Sequence, residues 1–411
     1  MQSNLIEQEL VKQELVKQEL NKSGLNKPKL NKISRRQFLY AGAAVSSLAT
    51  LGCSSSSVST AASSTTATGM SADEAVPLNF NENPLGLAPK AQQAVLDALP
   101  NAWRYPDAAR SQLMAAIAES ISVAESQLIY GNGSSEVLKM ALDALAQTNS
   151  QLVMPDPSYG VVIDYAMARG IPVLKVKLDG QWQTDLAKMK AKVAAHSGPS
   201  IVYLCNPNNP TGLLLPQSEL NQWLDQASSQ LSFIVDEAYV EYVAQAGFAS
   251  AVERIKQGQQ HIVVCRTFSK IYALAGLRVG YGVAHADLIK QMQAQASIDN
   301  ANLIGCVAAK ASLESPQWLS LSLQSNNQAK ALVYQQLAKL GLDYLPSETN
   351  FIFHKVNGDS ELYMQRMAKA GILVGRPFNH GEGWNRLSIG TPAQMQYFSK
   401  ALAKFRELGW V

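Results

Sequence analysis

Four cysteines, five histidines and a charged fraction of only 16% in 411 residues leave little material for several kinds of chemistry. Cys53, Cys205, Cys265 and Cys306 have neither C-x-x-C spacing nor an accompanying histidine cluster. That argues against a zinc site and a disulfide framework, and no metal is expected. The last three read instead as small buried hydrophobes. Net charge is only +3, and the excess of lysine falls in the first forty residues. The body is therefore near neutral, and no nucleic-acid footprint is expected. No apolar run is long enough for a transmembrane helix. What is present is a 47% hydrophobic chain of 44.5 kDa, enough for a large core and two or three domains.

The chain begins with a five-residue repeat from Leu10: LVKQE, LVKQE, LNKSG, LNKPK, LNKIS. That period suits neither a packed helix face nor a strand, so residues 1–33 are expected to be a disordered basic leader. Ser34-Arg35-Arg36-Gln37-Phe38-Leu39 and a weakly apolar stretch to Gly52 follow. This order resembles a twin-arginine export signal over residues 34–53. Leu51-Gly52-Cys53 resembles a lipoprotein processing site, although Thr50 replaces the usual aliphatic residue. Cys53 is thus a candidate for lipidation, the alternative being cleavage within the Ser/Thr-rich linker, residues 54–75. The mature protein is expected to begin near Val76.

From Asn101 to about Ala296, strand-like and helical segments alternate, which predicts an α/β fold with a mainly parallel sheet covered on both faces. Gln151 to Met154, Ile201 to Cys205, Phe233 to Val235 and Ile262 to Cys265 read as buried strands, each ending in polar or Pro/Gly residues. Such strand ends are where an open α/β sheet places its ligand. Residues 312–411 read as helices with strands near Asn350 to His354 and Arg386 to Ile389.

The chemistry sits at those strand ends. Lys270, in Arg266-Thr267-Phe268-Ser269-Lys270, can lose solvation there, which lowers its pKa and frees a neutral amine to attack an aldehyde. Thr267, Ser269 and Arg278 would suit a phosphate dianion. Asp236, just past Ile234-Val235, can hold a pyridine nitrogen protonated, with Tyr239 donating to the ring's phenolic oxygen; a turn or cap role is the ordinary alternative. Asn209, in the dense turn Asn206 to Gly212, is an amide donor for the same oxygen. Gly131 to Glu136 opens a helical pattern whose free N–H groups, with Ser134 and Ser135, can cradle a phosphate or simply start a helix. Tyr159 either stacks on a flat ring or belongs to the rim.

Together these segments resemble the class I/II aminotransferases, most closely the histidinol-phosphate aminotransferase branch. The motifs fall in order: NENPLG at Asn81, RYPD at Arg104, GNGSSE at Gly131, PDPSYG at Pro155, NPNNPTG at Asn206, DEAYVEY at Asp236, RTFSKIYALAGLRVGY at Arg266, LPSETNF at Leu345 and RLSIGT at Arg386. The resemblance implies fold type I of the pyridoxal-5'-phosphate (PLP) enzymes, with a seven-stranded large domain at 101–311. A smaller domain would draw on 76–100 and 312–411.

It further implies that Lys270 carries PLP and Asp236 pairs with the ring nitrogen. Asn209 and Tyr239 would bind the ring oxygen, Tyr159 would stack on the ring, and Ser134, Ser135, Thr267, Ser269 and Arg278 would hold the phosphate. Arg386 and Asn83 would bind substrate, Arg386 taking an alpha-carboxylate or the polar head replacing it. Tyr105 would reach the phosphate in a neighbouring subunit, hence a homodimer. The reaction implied exchanges an amino group between an amino acid or amino-alcohol phosphate and a 2-oxo acid. A decarboxylase or lyase of the threonine-phosphate type shares the cofactor residues, and an exported, non-catalytic binding protein would share the fold. One segment departs from the branch: Leu373-Val374-Gly375-Arg376 carries a glycine where the aliphatic pair usually runs straight into arginine, which points away from histidinol phosphate itself.

Overall fold

The computed structural model describes residues 75–411 apart from Asn379 and Glu382. The leader, the twin-arginine segment, Cys53 and nearly all of the linker lie outside the described residues. The centre is a seven-stranded sheet of β2 (Leu128–Gly131), β3 (Gln151–Asp156), β4 (Val173–Lys177), β5 (Ser200–Cys205), β6 (Leu231–Asp236), β7 (Ile262–Thr267) and β8 (Gly280–Ala284). The spatial order is β2-β8-β7-β6-β5-β3-β4, and only β8 runs against its neighbours. The other six strands therefore end on one edge.

Alternation along each strand decides what lies on each face. In β5 and β6, Val202, Leu204, Phe233 and Val235 point into one core. Ile201, Tyr203, Cys205 and Ile234 point into a second core shared with the helix Ser134–Leu145. With both faces covered, β5 is buried throughout and reads as a continuous apolar run. Cys205, Cys265 and Cys306 are unpaired and buried within these cores.

Two smaller sheets complete the structure. β1 (Val76–Leu78) pairs in parallel with β10 (Ile372–Val374), and β9 (Phe351–Lys355) pairs antiparallel with β11 (Trp384–Ser388). These pack with the helices Pro316–Lys339, Ser360–Lys369 and Pro392–Glu407 around a separate apolar cluster that includes Val76, Leu387 and Phe398. The last helix starts sharply because Thr391 and Gln394 cap each other's backbone and Pro392 takes the first turn. Among the described residues no helix is long and apolar enough to cross a membrane.

Candidate active site

The shared strand edge gathers the polar residues read from the sequence. β6 delivers Asp236, the turn after β5 delivers Asn209, the turn after β7 delivers Ser269 and Lys270, and the turn after β3 delivers Tyr159. β2 leads into Ser134 and Ser135, and Arg278 enters from the approach to β8.

Asp236 is 1% exposed. It faces Cys205 on β5 and Cys265 on β7 across the sheet register. Its carboxylate accepts hydrogen bonds from Tyr203 Oη at 3.0 Å and Ala238 N at 3.1 Å. Burial pushes its pKa up to about 6, opposed by those two donors and by Lys270. No side-chain cation among the described residues bonds it, so a buried anion waits for a positive group.

Tyr239, 3% exposed, presents the complementary situation. Its hydroxyl oxygen accepts from Asn81 Nδ2 at 3.0 Å and Asn209 Nδ2 at 3.3 Å. With both lone pairs used, the phenol proton is left to donate outward. Its pKa is raised, mainly by burial, so that proton is retained. Asn209 is itself held by Arg386 Nη1, which donates to Oδ1 at 2.8 Å.

Lys270 Nζ lies 5.8 Å from the centre of the Tyr239 ring and donates to Phe80 O at 3.1 Å. Burial first, and the Arg386 guanidinium second, bring its pKa down to about 8. A useful fraction is then neutral close to pH 7.

The anion cradle is built by close approach. Gly133 has φ +75°, and a Cβ on it would collide with the Arg278 guanidinium. Only glycine lets the two segments meet there. The helix that begins at Ser134 has no side-chain cap, so its first N–H groups face outward beside Arg278. Thr267 Oγ1 donates to Ser269 Oγ at 2.8 Å, and Arg278 Nη1 reaches Ser269 Oγ at 3.4 Å. Tyr159 lies against Ser135 and within the field of Asp236; burial raises its pKa. An unpaired buried carboxylate, an outward phenol proton, a partly neutral lysine and an open phosphate cradle fit a phosphorylated pyridine aldehyde.

Arg386 is buried at 9% exposure, and Nη2 donates to Asn79 O at 2.6 Å while Nε has no partner among the described residues. Burial, and secondarily the nearby Arg376, lower its pKa. The two guanidiniums lie 5.5 Å and 5.4 Å from the Phe378 ring centre. The extra glycine of this segment has a structural cause: a Cβ at Gly375 would strike Arg386 O, to which Gly375 N donates at 3.0 Å. Glycine there seats the strand-end segment against β11 and brings Arg376 beside Arg386.

Two expected residues have no hydrogen bond to this cluster among the described residues, although Asn83 lines a cavity together with Ser269. Asn83 gives its amide to Ile271 O at 2.7 Å and Ser322 Oγ at 3.0 Å, bonds that fasten the N-terminal arm. Tyr105 is 78% exposed. Sequence reasoning missed Asn81 and Tyr203. Asn81 is 1% exposed with φ +57°, locked by Ser388 on both its backbone N–H and its Oδ1. Its place in NENPLG was the available signal; Tyr203 carried none beyond its strand.

A family model described as aminotransferase class I and II matches residues 73–402. The chain is 35% identical over 331 residues to a histidinol-phosphate aminotransferase of Moorella thermoacetica, covering 80% of this chain and 85% of that one. A solved chain from Erwinia carotovora atroseptica is similar with TM-score 0.81 and 40% identity, over 84% of this chain and all of that one. The fold is also that of Sinorhizobium meliloti histidinol-phosphate aminotransferase in complex with PLP, at TM-score 0.74, 24% identity and coverage of 82% and 91%.

Proposed function

The chain belongs to the aminotransferase class I and II family, and we propose that it is a PLP-dependent transaminase with Lys270 as the cofactor-bearing lysine and proton carrier. The observation that carries this reading is the pairing in one cleft of a buried carboxylate, Asp236, with a phenol, Tyr239, the first with no bonded cation and the second with no acceptor for its proton among the described residues. Bound PLP supplies an electron sink for the negative charge left when the substrate's alpha carbon loses its proton. Asp236 keeps the ring nitrogen protonated, and Tyr239 with Asn209 binds the ring oxygen. Ser134, Ser135, Thr267, Ser269 and Arg278 hold the phosphate, and Tyr159 covers the ring. Lys270 would take up and hand on the proton of the substrate's alpha carbon, a role suited to an amine with a pKa of about 8.

Arg386 binds the substrate's carboxylate or phosphate head. Arg376, beside it and without a carboxylate partner among the described residues, favours substrates with a second anionic group. The test is a panel of amino acids and amino-alcohol phosphates with 2-oxo acid acceptors. We expect donor loss matched by 2-oxo product, abolished in Lys270→Ala. Carbon dioxide release in place of the 2-oxo product would favour the lyase reading, and full activity in Lys270→Ala would end this one.

The exposed Phe80, Trp103 and Tyr105 support a homodimer in which Tyr105 reaches the neighbour's phosphate site. Ser34 to Leu39 and Cys53 support export through the twin-arginine route, with Cys53 lipidated or the linker cleaved. That route carries folded proteins, which suits an enzyme loaded with cofactor before export. Replacing Arg35 and Arg36 by Lys keeps charge but loses the paired guanidiniums, and should trap active enzyme in the cytoplasm. Equal exported activity from both forms would reduce the pair to a basic leader.

A further inference from the structure

We propose that Tyr203 is a positioning residue for the reaction: its phenol fixes and stabilises the charged form of Asp236 from inside the sheet. The inference rests on the reading that Asp236 faces the cofactor's ring nitrogen. Tyr203 lies in the middle of β5, 0% exposed, in a strand otherwise made of Ser, Ile, Val, Leu and Cys. A buried hydroxyl costs free energy unless it is hydrogen-bonded. Its partner is Asp236 Oδ2 at 3.0 Å.

The register explains how they meet. Cys205 pairs with Asp236 across β5 and β6, and Tyr203 stands two residues earlier on the same face. A long aromatic side chain leaning toward the strand end therefore reaches the neighbouring carboxylate, whereas Phe at this position would fill the same space without the bond. The other titratable groups that face Asp236 are the thiols of Cys205 and Cys265, Tyr159, Tyr239 and Lys270, while Glu237, turned to the other side, acts on it only through its charge. Both thiols are buried and held in the neutral form by burial. Tyr203 is thus the side chain that solvates the anion, while Ala238 N holds the other oxygen. Burial and the charge of Asp236 push the Tyr203 pKa well up, so the phenol keeps its proton and donates it.

The experiment strips cofactor from the full-length protein and titrates PLP back by fluorescence at pH 5 to 9, for wild type, Tyr203→Phe, Asp236→Ala and the double variant. A hydrogen bond to a charged group is worth about one pKa unit, or tenfold. Tyr203→Phe should move the acid limb of PLP affinity up by about one pH unit, because Asp236 starts from a pKa of about 6; binding should weaken about tenfold at pH 5 and no more than about twofold at pH 7. KM for the amino donor should stay unchanged while kcat falls. In the Asp236→Ala background the same change should add less than about twofold, because no carboxylate remains to hold. Replacing Tyr203 with 3,5-difluorotyrosine keeps its shape and strengthens the donor, and should move the limb down, which separates a donor role from packing. An unmoved limb in both Tyr203 replacements, with a shifted one in Asp236→Ala, overturns the role of Tyr203. An affinity profile unchanged in Asp236→Ala overturns instead the placing of Asp236 at the ring nitrogen.

Discussion

Asp236 and Glu237 are neighbours at the end of β6, and each is 1% exposed, but they point to opposite sides and meet different company. Glu237 accepts from Arg266 at 2.8 and 3.1 Å, from Ser250 Oγ at 2.7 Å and from Ala251 N at 2.8 Å. Its charge is matched and its lone pairs are filled from within the chain. Asp236 has one phenol and one backbone N–H, and no cation bonded to it among the described residues. A saturated buried acid is architecture, whereas one left short of positive charge is prepared for a ligand that brings it.

That contrast can be broken from either side. Asp236→Ala should lower transamination by about two orders of magnitude or more, the scale of losing a principal electrostatic stabiliser. A loss under about tenfold would show that Asp236 is as structural as its neighbour. Glu237→Gln should have the inverse profile, because it leaves Arg266 buried without its counter-charge. Denaturant unfolding should show a loss of about 3 kcal/mol or more, with turnover per folded molecule close to wild type. If Glu237→Gln is stable but inactive, the division between the two acids is wrong.

The pH dependence sharpens the same picture. The Lys270 amine reacts only when neutral, and its pKa is held near 8 rather than at the ordinary lysine value. Below that pH it is mostly protonated and above it mostly free. The rate of covalent PLP incorporation into stripped protein should therefore rise through pH 7 to 9 and level off. A rate still climbing steadily beyond pH 10 would place Lys270 in water-like surroundings. The smallest effect is expected at the mouth of the site, where Arg376 is exposed beside Phe378. Exposed ion pairs are worth about 1 kcal/mol or less, so Arg376→Ala should raise KM by up to about fivefold, and only for donors with a second anionic group. An equal rise for a donor without that group would argue that Arg376 acts by positioning Arg386.

Much of this was legible because β3, β5, β6 and β7 are short apolar runs stopped by Pro155, Asn206, Asp236 and Arg266, and the residues at and after these stops form the site. β4 and β8 were harder to see. β4 is an edge strand with lysines on its exposed face, and β8 carries two glycines in five residues. Asn81 and Tyr203 were invisible as site residues because their partners lie 158 and 33 residues away. Only strand register and the path of the N-terminal arm bring those pairs together. The substrate role of Asn83 was an implication of the resemblance; in the fold its amide is held by Ile271 O and Ser322 Oγ, contacts between segments that local sequence does not specify.

The attachment of the cofactor at Lys270 is tested most directly by borohydride reduction of the loaded protein followed by tryptic mapping. A modified Lys270 resists trypsin, so the cofactor mass should appear on the uncut peptide from Thr267 to Arg278. Cofactor mass on another lysine, with Thr267 to Lys270 released unmodified, would contradict the account.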